Sequence, residues 1–136
     1  MTLELVVVTP EGEAFSDAVQ QVVLPGEAGR FGVLEGHERF LTPLVRGPMQ
    51  IIREDGASEW AAISSGFAEV DGKKVVVLVD GCVRKSEIDR GAVENRRAEA
   101  ARQLAAIADT AENAGERMRL AEVVARAELE IEVAGL

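Results

Sequence analysis

The sequence predicts an α+β fold, in which an N-terminal antiparallel β-sandwich of residues 1–85 precedes a C-terminal antiparallel helical hairpin of residues 86–136. Three observations predict it. Short Val- and Ile-rich runs, with a turn signal about every 8 to 12 residues, extend to Val83, as is typical of sandwiches and barrels. Two Asp-Gly dipeptides separate apolar runs. Near Ser86 the composition changes to Ala, Glu and Arg, which are strong helix formers.

The strands are justified by the turns between them. Asp55-Gly56 and Asp71-Gly72 each lie between two apolar runs, and both supply the positive φ that tight hairpin turns require. We therefore predict a β-hairpin around each dipeptide. Residues Val75 to Val79 are apolar at every position, which indicates a strand that is covered on both faces. Such a strand favours two packed sheets over a single open sheet.

The helices are justified by a start signal and by composition. Ser86-Glu-Ile-Asp89 has the form of a capping box, in which the serine oxygen and the carboxylate accept free N–H groups of the first helical turn. We predict a first helix from about Glu87 to about Asp109 and a connector at residues 110–115. A second helix is predicted from about Glu116 to about Val133, because apolar residues recur there at helical spacing.

The apolar stripe of the first helix is made mostly of alanine. Between Glu94 and Ala111 the large apolar residues are Leu104 and Ile107. Burial at roughly 25 cal/mol per Å² therefore stabilises this helix little. We expect the C-terminal arm to be weakly docked and mobile, since weakly buried elements open locally at low free energy.

Composition excludes several classes of function. The chain has 136 residues, a net charge of −9 and a pI near 4.7, which argue against direct binding to nucleic acid or to an anionic membrane surface. Cys82 is the single cysteine, so it forms no internal disulfide, and its apolar neighbours indicate a buried thiol in a reducing compartment. No apolar run is long enough for a signal peptide or a membrane span, so membrane contact is expected only through a partner.

No catalytic or metal-binding constellation is recognisable. His37 is the only histidine and has no second His or Cys nearby, so a loop-ordering role is favoured over catalysis or zinc binding. Ser64-Ser-Gly66 fits a turn, and the glycines at 26, 29, 32 and 36 match no phosphate-binding motif. We therefore predict no catalytic residue, no metal and no cofactor. The arginines of the helices fit either a solvated face paired with glutamates or a contact with an acidic partner or a triphosphate.

Three segments resemble one known family. Residues 24–47 hold the Leu-Pro-Gly, the spaced glycines, the Gly-His and the Pro-Leu of the epsilon subunit of bacterial F-type ATP synthases. Ile63-Ser-Ser-Gly-Phe-Ala-Glu-Val70 is similar to that family's [LV]SGGFLEV strand, and Val77-Leu-Val-Asp-Gly-Cys-Val-Arg84 is similar to its VLAD-x-A-x-R strand. The likeness covers almost the whole chain and agrees with the fold predicted from pattern alone.

The resemblance implies a non-catalytic central-stalk (rotor) subunit that binds the gamma subunit and the c-ring and couples ion translocation to ATP synthesis. It places the protein peripherally at the cytoplasmic face of the inner (plasma) membrane. Arg30 occupies a position that is often acidic in bacterial relatives. The partner-binding residues that the resemblance implies are Glu27, Arg30, Phe31, His37, Arg39 and Phe40.

In this family the hairpin inhibits ATP hydrolysis in some members, through the alpha and beta catalytic subunits, or binds ATP. Ile88 and Asp89 match the start of the nucleotide-linked motif, but Ala92 stands where the motif has arginine. The second helix ends in Glu128, Glu130 and Glu132, whereas the family's inhibitory helix is usually basic. The resemblance therefore implies a weakened inhibitory hairpin and leaves ATP binding and hairpin orientation open.

Two other classes of function are weighed against this one. The first is an independent β-sandwich protein-binding module with a dimerising helical tail, which would purify alone as a homodimer. The second is an enzyme that depends on His37. The sequence does not distinguish proton from sodium coupling, nor does it name the source or the partner residues.

Overall fold

The computed structural model describes residues 1–136, and the chain divides into two compact units, Met1–Lys85 and Ser86–Leu136. The first unit holds ten strands, which are β1 Leu3–Thr9, β2 Gly12–Val19, β3 Gln21–Gly26, β4 Gly29–Leu34, β5 Phe40–Leu44, β6 Gly47–Ile52, β7 Ser58–Ile63, β8 Gly66–Val70, β9 Lys74–Val79 and β10 Cys82–Arg84. The second unit holds helices α1 Arg90–Ala106 and α2 Ala114–Ala134. Short 3-10 turns cover Lys85–Glu87 and Ala111–Asn113. The predicted fold class is confirmed.

The sandwich is one hydrogen-bonded path that folds over itself. The strand order is β10-β7-β6-β3-β5-β8-β9-β1-β2, with β4 on the other edge of β3. Between β3 and β5 a single residue pair, Gly26 with Leu44, joins the two halves. All other pairs are antiparallel except β1 with β9, which is parallel, so the expectation of a purely antiparallel sheet is corrected at one ladder.

The two halves enclose one apolar core. Buried Val, Leu and Ile side chains from both halves form a single cluster, as expected for a sheet that packs on itself.

The two ends of the strand path also meet. Phe15 on β2 lies under the guanidinium groups of Arg53 and Arg84, whose Cζ atoms are 5.4 and 5.3 Å from the ring centroid. Arg53 adds ion pairs to Asp17 and Glu59 at 2.7 and 2.9 Å. The Arg-Phe-Arg stack therefore joins the open edges of the sandwich.

Both Asp-Gly hairpins form as predicted. Gly56 lies between β6 and β7 with φ +87°, and Gly72 lies between β8 and β9 with φ +90°. The Asp71 carboxylate stabilises its turn by accepting hydrogen bonds from the backbone N–H groups of Lys73 and Lys74, at 3.1 and 2.8 Å. These hydrogen bonds lower the pKa of the Asp71 carboxyl below its ordinary value.

The start of the first helix differs from the prediction. Asp89, not Ser86, is the N-cap of α1, and its side chain accepts the backbone N–H of Ala92 at 3.2 Å. A 3-10 turn occupies Lys85–Glu87, where the helix was expected to begin. The helix therefore runs from Arg90 to Ala106, and the second helix begins two residues earlier than predicted, at Ala114.

The hairpin has a small interior. Its buried apolar residues are Val93 and Ala100 on α1 and Leu120, Ala127 and Val133 on α2. Glu130 is also buried, with 4% of its surface exposed, and its carboxylate lies 3.4 Å from the guanidinium of Arg96. The prediction that the first helix has few large apolar side chains agrees with this interior. The mobility of the C-terminal arm stays a prediction.

Candidate functional site

The β3–β4 hairpin carries the first two of the predicted partner-binding residues at its tip. Gly26 pairs with Gly29, so Glu27 and Ala28 form the turn. Gly29 has a φ of +125°, a backbone conformation that is strained for any residue with a side chain. Glu27 is exposed at this tip. Arg30 lies next to it, opposite Pro25, and its Cζ atom is 5.5 Å from the ring centroid of Trp60 on β7. Arg30 is therefore folded over its own sheet.

The aromatic residues of the predicted site pack inward. Phe31 and Phe40 lie against the sandwich core with their ring centroids 5.9 Å apart in an edge-to-face arrangement. A Cβ atom on Gly26 would come within 2.9 Å of the Phe31 ring, so the bare backbone there makes room for that ring. These two phenylalanines position the hairpin rather than present a free surface.

His37 and Arg39 lie at the other end of β4. The His37 ring is tilted against Phe40, with centroids 4.9 Å apart, and its Nδ1 is 3.2 Å from the carbonyl oxygen of Glu38. The backbone N–H of His37 also donates to the carbonyl of Leu34. These contacts fit the loop-ordering role. The rings of Phe31, Phe40 and His37 contact one another in sequence, so the aromatic members of the predicted set connect the hairpin tip to this loop.

A row of exposed apolar side chains, which sequence reasoning missed, crosses the outer face of the sheet formed by β5, β8, β9 and β1. Pro43 pairs with Phe67, Phe67 with Leu78, and Leu78 with Val8. Phe67 and Leu78 are 51% and 46% exposed, and Leu41 on the same face is 66% exposed. We call this set, Val8, Leu41, Pro43, Phe67 and Leu78, the apolar row.

The apolar row corrects one interpretation. The sequence predicts that the run Val75 to Val79 is covered on both faces, but its side chains alternate, with Val75, Val77 and Val79 buried while Leu78 is exposed. The uninterrupted apolar run in the sequence is the signal from which this exposed apolar face could have been predicted. An exposed apolar face of this kind is typical of a surface that a partner protein covers.

The helical candidates are engaged within the hairpin. Asp89 is occupied as the N-cap of α1, and Ile88 beside it is half-buried. Arg117 donates to the carbonyl oxygens of Leu104 and Ile107 at 3.2 and 2.7 Å, which ties α2 to the end of α1. Further arginines pair with glutamates, as Arg119 does with Glu116. The solvated, paired-face interpretation of the arginines fits these contacts.

No group of His, Cys, Asp and Glu side chains in the chain is arranged to hold a metal ion. Neither helix is long and apolar enough to cross a bilayer. The features that remain are an exposed apolar row, a charged hairpin tip and a loop braced by aromatic rings. They define a class of β-sandwich protein whose surface is suited to docking with other proteins.

Comparison with known proteins identifies the family. The sequence model of the ATP synthase delta/epsilon chain, beta-sandwich domain, matches residues 2–85. The ATP synthase epsilon chain of Helicobacter acinonychis is 47% identical over 90 residues, which are 65% of this chain and 72% of that one. The epsilon chain of Campylobacter fetus is 46% identical over 82 residues, which are 60% of this chain and 64% of that one. The chain belongs to the ATP synthase delta/epsilon family, and the resemblance inferred from sequence is confirmed.

Solved structures share the fold over nearly the whole chain. A chain in the Euglena gracilis mitochondrial ATP synthase, in a structure of OSCP, F1 and c-ring, matches with a TM-score of 0.67 and 21% identity over 98% of this chain and 78% of that one. A chain in the Tetrahymena thermophila mitochondrial ATP synthase central stalk and c-ring matches with a TM-score of 0.59 and 14% identity, over 98% and 97% of the two chains. The combination of sandwich and helices therefore recurs in both.

Proposed function

We propose that this chain is a non-catalytic subunit of the central stalk of an F-type ATP synthase, which binds the gamma subunit and the c-ring and helps to couple ion translocation to ATP synthesis. Family membership supports the proposal, and so do the neighbours of known structure, which come from ATP synthases that include the c-ring. The protein is then peripheral, held at the cytoplasmic face of the membrane by the complex.

The observation that carries the proposal is the apolar row. Phe67 and Leu78 are adjacent across two paired strands and are about half exposed, so a partner that covers them removes substantial apolar area from water. We assign this face to the gamma subunit. The β3–β4 tip, where Gly26 and Gly29 flank the exposed turn residues Glu27 and Ala28, is assigned to the c-ring.

The first test is copurification with the gamma subunit. Phe67→Ser with Leu78→Ser should weaken gamma binding at least about tenfold, because aromatic and aliphatic anchors dominate such interfaces. Leu34→Ser is the matched control, since Leu34 is 48% exposed but lies on β4, outside the apolar row. Equal binding by the double variant and the control would refute the assignment. A stable homodimer that the same double substitution dissociates would favour the independent-module function instead.

The hairpin is assigned a weakened inhibitory role. Its arginines are paired within the hairpin, and its last turns carry Glu128, Glu130 and Glu132. The test is ATP hydrolysis by the reconstituted catalytic complex with the full chain, with a chain that ends at Lys85, and with neither. Equal rates with both forms, given demonstrated gamma binding, fit a weakened hairpin. Suppression by the full chain alone would show that the acidic hairpin still inhibits.

A further inference from the structure

The position of Arg30 sets the charge that the β3–β4 tip presents. The guanidinium of Arg30 lies 5.5 Å from the centroid of the Trp60 ring, within the range of a cation–π contact. Trp60 is on β7, and the strands β3 and β6 lie between it and β4. Arg30 forms no ion pair, so the face of Trp60 is the contact that holds its charged end.

The strand register explains how two residues so far apart can meet. Gly32 pairs with Val23, Val23 with Gln50, and Gln50 with Trp60, which makes one row across four strands. Arg30 lies two residues before Gly32 and therefore on the same face of the sheet. At Gly32 the outer face of the sheet is covered by the side chain of Gln21, whose amide nitrogen would overlap a Cβ atom there. The guanidinium of Arg30, which comes from the same face, reaches the ring of Trp60 at the end of this row.

The stack removes a positive charge from the tip. Arg30 pairs with Pro25, one residue pair below the Gly26–Gly29 pair that closes the turn. A free arginine side chain is long enough to reach from there to the level of Glu27, since each residue of strand advances about 3.3 Å. While Arg30 lies over Trp60, the charge at the turn is the exposed carboxylate of Glu27.

We propose that Trp60 is a positioning residue, which holds Arg30 on the face of the sheet so that the hairpin tip offers Glu27 to a basic surface of its partner. The inference rests on the proposed function, in which the partner at the tip is the c-ring. It accounts for an arginine at a partner-facing position without requiring that the arginine itself make the contact. Complementary charge across such a rim contact sets specificity and association rate.

The stack is tested first in the free chain. Trp60 is the only tryptophan and the chain has no tyrosine, so its fluorescence reports this site alone. Arg30→Ala should increase quenching of Trp60 by acrylamide, because the guanidinium no longer covers the ring. Arg39→Ala, which removes an exposed arginine of the loop after β4, should leave quenching unchanged. Unchanged quenching in Arg30→Ala would overturn the proposal whether or not the chain is a rotor subunit.

Binding to purified c-ring at several salt concentrations tests the consequence. Glu27→Lys should weaken binding about tenfold at low salt, with the difference reduced at high salt. Trp60→Leu should weaken binding roughly two- to fivefold, because a released Arg30 then competes for Glu27, whereas Trp60→Phe keeps an aromatic face and should bind nearly as the parent does. Adding Arg30→Ala to Trp60→Leu should restore binding.

Several outcomes would overturn the inference. Full-strength binding by Glu27→Lys would show that the tip carboxylate makes no contact with the c-ring. A loss in Trp60→Leu that Arg30→Ala does not restore would show that Trp60 acts through the fold and not through Arg30. If the unmodified chain fails to bind the c-ring, the partner assignment fails together with the proposed function, while the quenching experiment still decides the stack.

Discussion

Gly66→Ala is expected to be the most damaging single-methyl change in the sandwich. Gly66 is the first residue of β8, and it pairs with Leu44 on one side and Val79 on the other. A Cβ atom there would overlap the carbonyl oxygen of Leu78 and lie 2.9 Å from both the Leu78 carbonyl carbon and the Val79 Cα. Because these atoms are backbone, no side-chain rotation relieves the clash, and β9 must move away from β8.

The magnitude follows from what that movement breaks. Separating the start of β8 from the end of β9 weakens about two ladder hydrogen bonds, each of which contributes about 1 kcal/mol. Overpacking adds about 1 to 3 kcal/mol, as is usual when a methyl group is forced into a filled space. We therefore expect the free energy of unfolding to fall by about 3 to 5 kcal/mol, and the Tm of a unit of this size to fall by about 15 to 30 °C.

The assay is urea unfolding followed by the fluorescence of Trp60, which lies in the sandwich and is the only tryptophan. Gly81→Ala is the matched control, because a Cβ at Gly81 would approach only the Oγ of Ser64, at an ordinary 3.8 Å. The control should change the free energy of unfolding by less than about 1 kcal/mol, as surface substitutions usually do. A similarly small loss in Gly66→Ala would refute the reasoning.

Three further predictions concern charged and capping groups. The hydrogen bond from Arg53 lowers the pKa of the Asp17 carboxyl below 3.8, so its stabilisation is present above about pH 4 and is lost as the pH falls through the lowered folded-state value. Asp17→Asn should therefore flatten the acid limb of stability measured by urea unfolding from pH 5 to pH 2. Asp89→Ala should cost about 1 kcal/mol of hairpin stability, measured by far-ultraviolet circular dichroism, because it removes the N-cap of α1. Arg96→Ala should cost the hairpin about 1 to 3 kcal/mol in the same measurement, because the buried Glu130 loses its ion-pair partner.

Each of these changes has a control of the same chemistry. Asp80→Asn removes an exposed carboxylate of the sandwich and should keep the steep acid limb. Ser86→Ala should leave helicity unchanged. A larger loss of helicity in Ser86→Ala than in Asp89→Ala would show that Ser86 is the N-cap of the first helix. Arg97→Ala removes an arginine that lies 4.0 Å from an exposed glutamate, so it should cost less than Arg96→Ala. Equal costs would show that burial of Glu130 does not matter.

The parts of the fold that the sequence predicts well are those set by local chemistry. Gly56 and Gly72 have the positive φ that their Asp-Gly turns require, and the change in composition at Ser86 predicts the start of the helical segment. The cap itself was misplaced because Ser86 and Asp89 are both good N-cap residues within one turn of each other. A 3-10 turn that spans Lys85–Glu87 decides between them, and no local pattern specified it.

The functional surface depends on strand register, which the sequence does not contain. Phe67 and Leu78 face each other across the predicted Asp71-Gly72 hairpin, but Pro43 and Val8 join the row through pairings with strands that are distant in the chain. The same holds for Arg30, whose contact with Trp60 spans four strands. The resemblance implies a partner-binding segment, but it does not indicate that the charged end of Arg30 lies over Trp60.

The two units differ in how much holds them together, and this bears on which of them can change state. The sandwich core is made mostly of buried Leu, Val, Ile and Met side chains, whereas the hairpin buries Leu120, four smaller apolar side chains and one carboxylate. At roughly 25 cal/mol per Å² the smaller side chains contribute less, so local opening should cost less free energy in the hairpin than in the sandwich. Polar links such as Arg117 at the end of α1 then supply a larger share of the hairpin's stability. Local unfolding is therefore expected to begin in the hairpin, so a binding surface that must keep its shape is better supported by the sandwich.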